Sequence, residues 1–437
     1  MRRWQQLACV AIAVALCAAR FVRLNDTPAG FYLDEAAGAA TMLCIDEPRL
    51  FFEEFPGTGT FFTPAYVYSG AAWAKLFGSS IASFRSHVAF YSVLTIVALF
   101  LVARHFLGLD GALFAALAAA VSPWGFPFAR IAWDPPLAPC FAMWGVFFFL
   151  RKHAVLAGLL FAAAMYTYPP ARLHVPLILL VLVLNVGRAS ARLDGLKPAL
   201  RSALAMLVAC IPLIVLTLNG TLSARANALA VWSTEAPFTR FAQNLLAHLS
   251  PDFLLFKGDL NPRHGTQLFG ILSWLDVLAI LAGVWLLKHI NRKLLVLAAA
   301  GFLGALAVAS LTWEGVPHAL RSLTGWPFLA LLTGALLSAA CARWRVVPYL
   351  ALACALAFSI VFLNVYFTTY RTASAPFFDA VLREEAEEGD FEALRGYWAF
   401  YPRPALRYYF LYYGGLPCAS LRGDDLPPLP AGGHHRP

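Results

Sequence analysis

The sequence predicts an all-α polytopic membrane protein of about eleven transmembrane helices. Of its 437 residues, 60% are hydrophobic and 13% are charged, whereas a soluble domain is about half apolar and a quarter charged. Apolar runs of about 20 residues, the length of a helix that crosses a bilayer, recur along the chain. Lys and Arg residues cluster in every second connection between these runs, which is the pattern of cytoplasmic loops.

The candidate spans follow one another with short and long connections in alternation. They are 5–24, 84–104, 109–123, 136–151, 153–168, 172–187, 198–218, 268–287, 294–312, 322–341 and 346–368. Several connections are so tight that the helices they join must be antiparallel neighbours. We therefore expect one compact bundle.

The basic connections set the expected orientation in the membrane. They are residues 2–3, 104–105, 151–153, 188–201, 288–293 and 343–345. Placing all of them in the cytoplasm puts the N-terminus inside and the C-terminus outside. The expected location is therefore the bacterial cytoplasmic (inner) membrane. The net charge of +9 then reflects topology, and we expect no nucleic-acid partner.

The predicted domains are a membrane unit of residues 1–368 and a small extracytoplasmic region of residues 369–437. The unit carries two long external loops, 25–83 and 219–267. Residues 61–77 are apolar enough to be a twelfth span, but a span there would invert every later basic loop. We therefore expect an interfacial helix in the membrane plane.

Cysteine spacing excludes CxxC metal or redox motifs. Cys44 and Cys418 both fall on the predicted external side. A disulfide between them is compatible with compartment and parity alone.

Two adjacent carboxylates, Asp34 and Glu35, follow the first span and precede an alanine-rich run. In apolar surroundings a carboxylate is more basic than in water, which suits a general base. Acidic residues at a helix N-terminus also stabilise the helix dipole. The two interpretations are compatible, because a residue of the first turn can also face a cleft.

The stretch FYLDEAAGAA resembles the Asp-Glu signature in the first external loop of the GT-C superfamily of glycosyltransferases. This superfamily includes the protein O-mannosyltransferases and the lipid A aminoarabinose transferases. Further segments match in order, namely TPAYVYSGAAWAKLFG, SPWGFPFARIAWDPP, YTYPPARLH and EGVPHALRS. The aminoarabinose transferases have Lys-Pro-Pro where this chain has Phe62-Thr63-Pro64, a departure that bears on the substrate.

The resemblance implies a GT-C type bundle that transfers a sugar from a polyprenyl-phosphate carrier on the outer side of the membrane, usually with inversion. It places the general base at Asp34, with Glu35 assisting by positioning or by its local charge. The implied partners are a polyprenyl-phosphate-linked sugar donor, an envelope acceptor (protein, lipid or glycan) and membrane lipids.

Arginines near the external surface are the candidates for binding the donor phosphate, because a guanidinium pairs with phosphate in a bidentate manner. Arg321 is the first choice, with His318, Arg172 and Arg130 as further candidates. The alternative for Arg321 is an interfacial arginine whose charge reaches lipid headgroups.

Asp134, Tyr168, Arg263 and His264 are candidates for positioning or for binding the acceptor. Asp134 could instead form an ordinary loop-ordering ion pair with Arg130. Tyr168 could belong to an interfacial aromatic belt.

A divalent metal remains possible as a cofactor. His264 beside Arg263 is a poor metal signature, because the cation repels a metal and no second histidine has ligand spacing. Glu53, Glu54 or Glu314 could still contribute ligands.

A transporter or flippase of lipid-linked sugars is the alternative function, and a noncatalytic scaffold is another. A transporter predicts ionisable residues in mid-span and repeated halves. The predicted spans are nearly free of charge and show no paired repeat. An enzyme, namely a glycosyltransferase, is therefore the favoured interpretation.

Overall fold

A computed structural model describes residues 1–53, 60–187 and 197–389, together with residues 409, 411–413 and 418. The all-α prediction is confirmed, since the described chain is mostly helical. Its first helices are α1 (Arg3–Ala19), α2 (Leu33–Leu43), α3 (Pro64–Phe77), α4 (Ile81–Val121), α5 (Gly125–Phe128), α6 (Leu137–Leu150), α7 (Ala154–Thr167), α8 (Ala171–Gly187) and α9 (Lys197–Ala209). The later helices are α10 (Ile211–Leu218), α11 (Ala224–Leu229), α12 (Pro237–His248), α13 (Trp274–Gly283), α14 (Arg292–Ala309), α15 (Trp326–Arg343), α16 (Val347–Val365), α17 (Arg371–Ser374) and α18 (Ala380–Glu388). Two short antiparallel strands, β1 (Phe52–Glu53) and β2 (Phe61–Phe62), connect α2 to α3.

The number of membrane crossings differs from the expected count. Among the described residues, four helical segments are long and apolar enough to cross a membrane, and a fifth results if α9 and α10, which meet at 51°, form one broken span. The structure makes the chain an integral membrane protein but does not confirm about eleven spans. Several predicted spans are helices too short for a crossing, such as α6 and α7 with 14 residues each.

Helix α4 shows why the length of a helix alone does not give the number of membrane crossings. Its 41 residues are about twice the length that one crossing needs. Gly108 interrupts it with φ of 71° and ψ of −165°, a backbone conformation that favours glycine. This break lies at the predicted junction between the spans 84–104 and 109–123. The predicted span 268–287 is also shortened, because α13 begins only at Trp274.

The centre of the bundle is the contact between α4 and α15. A Cβ atom added to Gly334 would lie 2.6 Å from the Ala115 side chain and 2.8 Å from the Gly111 carbonyl oxygen. Small residues at this crossing therefore allow close packing, as is common between membrane helices.

A second core surrounds α2 and fixes the start of that helix. It combines α2, α3, the first turns of α4 and parts of the tail. Tyr409 donates a hydrogen bond to the carbonyl of Phe31, and a disulfide joins Cys44 to Cys418 with their Cα atoms 5.3 Å apart. The 14 residues of α3 are too few to cross a bilayer, and its position in the membrane plane remains a prediction.

Candidate active site

A cavity of about 820 Å³ lies where the connections between helices converge. Eight of the ten predicted site residues line this cavity: Asp34, Asp134, Tyr168, Arg172, Arg263, His264, His318 and Arg321. They come from segments far apart in the sequence, so only the fold brings them together. The other two, Glu35 and Arg130, are not among its lining residues.

Asp34 occupies the first turn of α2, which begins at Leu33. The start of this helix is fixed by two carboxylates. The Glu35 side chain accepts a hydrogen bond from the N–H of Tyr32 at 3.1 Å, and Asp379 accepts one from the N–H of Leu33 at 3.0 Å. Asp34 is partly buried and faces the cavity. It is therefore placed where a bound molecule could reach its carboxylate.

Glu35 is completely buried on another side of α2. Its carboxylate accepts hydrogen bonds from the Arg85 guanidinium at 2.8 and 2.9 Å and from the N–H of Ala132 at 2.8 Å. Consecutive helical residues point about 100° apart, so Asp34 and Glu35 cannot share a direction. These contacts position α2, and positioning was one of the two ways in which Glu35 was expected to assist Asp34.

Arg130 also has a structural role instead of the predicted contact with phosphate. Its guanidinium is buried and donates hydrogen bonds to the carbonyls of Ala19 and Arg20 at 2.9 Å, Val22 at 2.7 Å and Thr27 at 3.0 Å. These carbonyls follow α1, where a helix end leaves acceptors without partners. Arg130 is thus committed to the backbone, and the ion pair with Asp134 is not formed.

Asp134 lines the cavity together with Asp34. Burial raises the pKa of Asp134 to about 8; the negative charge of Asp34 acts in the same direction, whereas Arg172 opposes it. The protonated form of Asp134 is therefore favoured at neutral pH.

Four arginines line the cavity, namely Arg172, Arg225, Arg263 and Arg321. Arg321 is held by Thr312, whose hydroxyl accepts a hydrogen bond at 2.8 Å, and by Glu314, whose carboxylate lies 3.6 Å away. The Arg263 guanidinium stacks on the Tyr32 ring at 4.1 Å. Such a concentration of cations suits a phosphate group.

Arg225 is an exposed cavity residue that the sequence analysis missed. Its position in the long loop 219–267, on the predicted external side, was the signal that could have indicated it.

Aromatic side chains form much of the remaining wall. Tyr32 and Trp133 meet edge to face with centroids 5.8 Å apart, and Tyr168 also lines the cavity. Aromatic faces of this kind provide apolar contact area for a ring-shaped ligand. The neighbouring Tyr166 is instead stacked on Phe51 at 5.8 Å.

A cluster of Asp259, His264 and His318 lies at the edge of the cavity. Asp259 Oδ2 lies 2.8 Å from His264 Nδ1 and 3.6 Å from His318 Nδ1. No second histidine has ligand spacing to His264 in the sequence, but the fold brings His318 beside it. Of the other candidate metal ligands, Glu314 is exposed and pairs with Arg321, whereas Glu54 and the side chain of Glu53 lie outside the described residues.

The family model for dolichyl-phosphate-mannose-protein mannosyltransferases matches residues 62–216. The resemblance to GT-C type, polyprenyl-phosphate-dependent glycosyltransferases is confirmed. No curated protein matches the chain by sequence.

Solved structures with the same fold come from bacteria and archaea. ArnT from Cupriavidus metallidurans bound to undecaprenyl phosphate is similar over 92% of this chain and 74% of that chain, with a TM-score of 0.52 and 16% identity. The apo state of the same ArnT gives a TM-score of 0.51 with the same coverage and identity. The oligosaccharyltransferase of Archaeoglobus fulgidus tethered with an acceptor peptide is similar over 100% of this chain and 60% of that chain, with a TM-score of 0.50 and 14% identity. At these identities the similarity establishes the fold.

Proposed function

We propose that the protein is a membrane glycosyltransferase that moves a sugar from a polyprenyl-phosphate carrier to an envelope acceptor, which is a protein, lipid or glycan. The reaction takes place on the outer face of the cytoplasmic membrane, with the N-terminus in the cytoplasm. Residues 1–368 form the proposed catalytic unit and residues 369–437 an extracytoplasmic appendage. The observation that carries the proposal is one cavity in which Asp34 is combined with several arginines.

The proposed reaction is a single displacement at the anomeric carbon. Asp34 accepts the proton of the acceptor nucleophile as the nucleophile forms its bond to this carbon. The bond from the carbon to the phosphate oxygen breaks, and the electron pair leaves with the polyprenyl phosphate. One attack on the face opposite the leaving group inverts the configuration.

Arg172, Arg225 and Arg321 are the proposed partners of the departing phosphate. Fixed positive charges stabilise an anion that develops in the transition state, and they do so more strongly in a partly buried site than in water. Arg172 and Arg321 are both partly buried, and Arg225 is exposed. Arg263, which stacks on Tyr32, is proposed to position the acceptor with Asp134, Tyr168 and His264.

The similar solved structures support both kinds of ligand. ArnT was solved with undecaprenyl phosphate and the oligosaccharyltransferase with a tethered acceptor peptide. The fold thus accommodates a lipid phosphate in one protein and an acceptor in another.

Transfer of labelled sugar by the purified protein in lipid nanodiscs tests the proposal. A panel of radiolabelled polyprenyl-phosphate sugars is incubated with envelope extract, using the unmutated protein and Asp34→Asn. We expect label in an acceptor fraction with the unmutated protein only. If the donor is never consumed but crosses the bilayer of proteoliposomes, the flippase function replaces the enzyme.

A further inference from the structure

Two segments of the chain contribute nitrogen and oxygen atoms to one compact cluster. Asp259 and His264 precede α13, whereas His318 follows α14. One ligand atom from each of the three residues lies within 4.8 Å of the other two. The His264 and His318 rings are stacked with centroids 4.6 Å apart, and both Nδ1 atoms approach the same carboxylate oxygen.

The surrounding backbone fixes the carboxylate in this place. The N–H of Asn261 donates to Asp259 Oδ1 at 2.8 Å, and the N–H of Ala319 donates to Asp259 Oδ2 at 2.7 Å. The N–H of His318 donates to His248 Nε2 at 3.0 Å. Contacts of this kind orient ligands before a metal arrives.

Burial also suits metal ligands. Asp259, His264 and His318 are each less than a tenth exposed, so few water molecules compete with them for an ion.

We propose that Asp259, His264 and His318 bind one divalent transition-metal ion, with zinc as the best match. Two imidazoles and one carboxylate form a ligand set typical of zinc, and three protein ligands leave a fourth position for water or another ligand. Because His264 and His318 line the cavity, this fourth ligand comes from the cavity.

The metal would join the two segments that hold these residues and so fix the wall beside Arg321. It also offers a cation to an anionic oxygen in the cavity, in addition to the arginines. Binding of the ion does not depend on sugar transfer, so this proposal and the proposed function can fail separately.

Metal content and cobalt titration test the site. The full chain, purified without a histidine tag, is analysed for zinc by mass spectrometry, then stripped with a chelator and titrated with Co²⁺ while its visible absorption is recorded. We expect about one zinc per chain and a cobalt spectrum of low coordination number. Asp259→Asn and His318→Gln should each weaken Co²⁺ binding at least about tenfold, a loss of roughly 1.4 kcal/mol.

His105→Gln is the control, since His105 is exposed and lies in α4 away from the cavity. It should bind Co²⁺ as the unmutated protein does. A variant that fails to fold is recognised by its thermal unfolding, and in that case removal of the metal from the unmutated chain provides the second measurement. Zinc should then raise the unfolding temperature of the stripped protein. Absence of stoichiometric metal and of a cobalt spectrum, or equal binding by Asp259→Asn, would show that the three residues form only a hydrogen-bonded cluster.

Discussion

Asp34 and Glu35 are neighbours in sequence with different surroundings. The sequence indicated that a carboxylate pair follows the first span, and Asp34 was predicted to be the base. The sequence could not show that Glu35 is buried against Arg85, because Arg85 lies 50 residues away along the chain. Arg130 was misassigned for the same physical reason, since its carbonyl partners become neighbours only in the folded chain.

Arg321→Ala should weaken binding of polyprenyl phosphate about tenfold or more, because hydrogen bonds to charged groups contribute roughly 1.5–3 kcal/mol. Equilibrium binding of radiolabelled undecaprenyl phosphate to the protein in nanodiscs measures this. Arg240→Ala, which removes an exposed charge in α12, is the matched control. Equal affinity of Arg321→Ala and the unmutated protein would assign Arg321 to lipid anchoring.

The raised pKa of Asp134, about 8 in the folded protein against 3.8 for an ordinary aspartate, predicts how its contribution to stability changes with pH. Between these values the folded state holds a proton that the unfolded state has released. Stability is therefore highest at low pH and falls as the pH rises toward 8. Asp134→Asn cannot release this proton, so its unfolding temperature should fall less between pH 6 and pH 8.5 than that of the unmutated protein.

Thermal unfolding of both proteins in the same lipid measures the difference. Asp26→Asn, which removes an exposed carboxylate from the segment between α1 and α2, should show the same pH dependence of the unfolding temperature as the unmutated protein. Identical pH profiles for Asp134→Asn and the unmutated protein would mean that Asp134 ionises normally.

At the scale of elements, the orientation of α2 depends on a buried ion pair. Glu35 connects α2 to α4 through Arg85 and to the segment before α6 through the N–H of Ala132. Glu35→Gln keeps the shape of the side chain but leaves the buried Arg85 charge without its counterion. We expect a loss of about 3–5 kcal/mol in the free energy of unfolding.

Chemical unfolding in detergent measures this loss, and an ion pair with an exposed carboxylate provides the comparison. Glu387 lies 2.8 Å from Arg383 on the surface of α18. Glu387→Gln should cost less than about 1 kcal/mol. Equal effects of the two substitutions would contradict a structural role for the buried pair.

Hydrophobic runs in the sequence predicted the positions of the helices better than the number and length of the membrane spans. The predicted spans 322–341 and 346–368 correspond closely to α15 and α16. The span 268–287 was too long, because α13 begins only at Trp274. The preceding segment instead donates backbone hydrogen bonds from Ile271 and Leu272 to the carbonyls of residues 253 and 254. Such pairing depends on tertiary packing, which an apolar composition does not reveal.

For the whole molecule, the disulfide between Cys44 and Cys418 closes a loop of 374 residues. Disulfides form in oxidising compartments, so this bond agrees with the proposed external location of both cysteines. The unreduced chain should migrate faster than the reduced chain in a denaturing gel, because the closed loop keeps the unfolded chain compact.

Cys44→Ser and Cys418→Ser should each abolish this difference in migration. Cys354→Ser, which removes a free cysteine in α16, should retain it. Equal migration of the reduced and unreduced forms of the unmutated protein would contradict the bond and remove its support for the proposed external location.

The cavity is a property of the entire chain and only its chemistry was predictable. The predicted site residues, most of them charged, account for eight of the residues that line it. Their grouping could not be predicted, since Asp259 and His318 meet across α13 and α14. Likewise, the contact of Asp379 with the start of α2 joins the tail to the helix of the proposed base.

The central claim is that Asp34 is the base for transfer of a sugar from a polyprenyl phosphate. The most direct test is the single-turnover rate of Asp34→Asn with bound radiolabelled donor and acceptor, with donor affinity measured on the same samples. A general base contributes about 10²–10⁴-fold to a rate, so we expect a loss of that size with donor affinity unchanged. A single-turnover rate equal to that of the unmutated protein would contradict the assignment of Asp34 as the base.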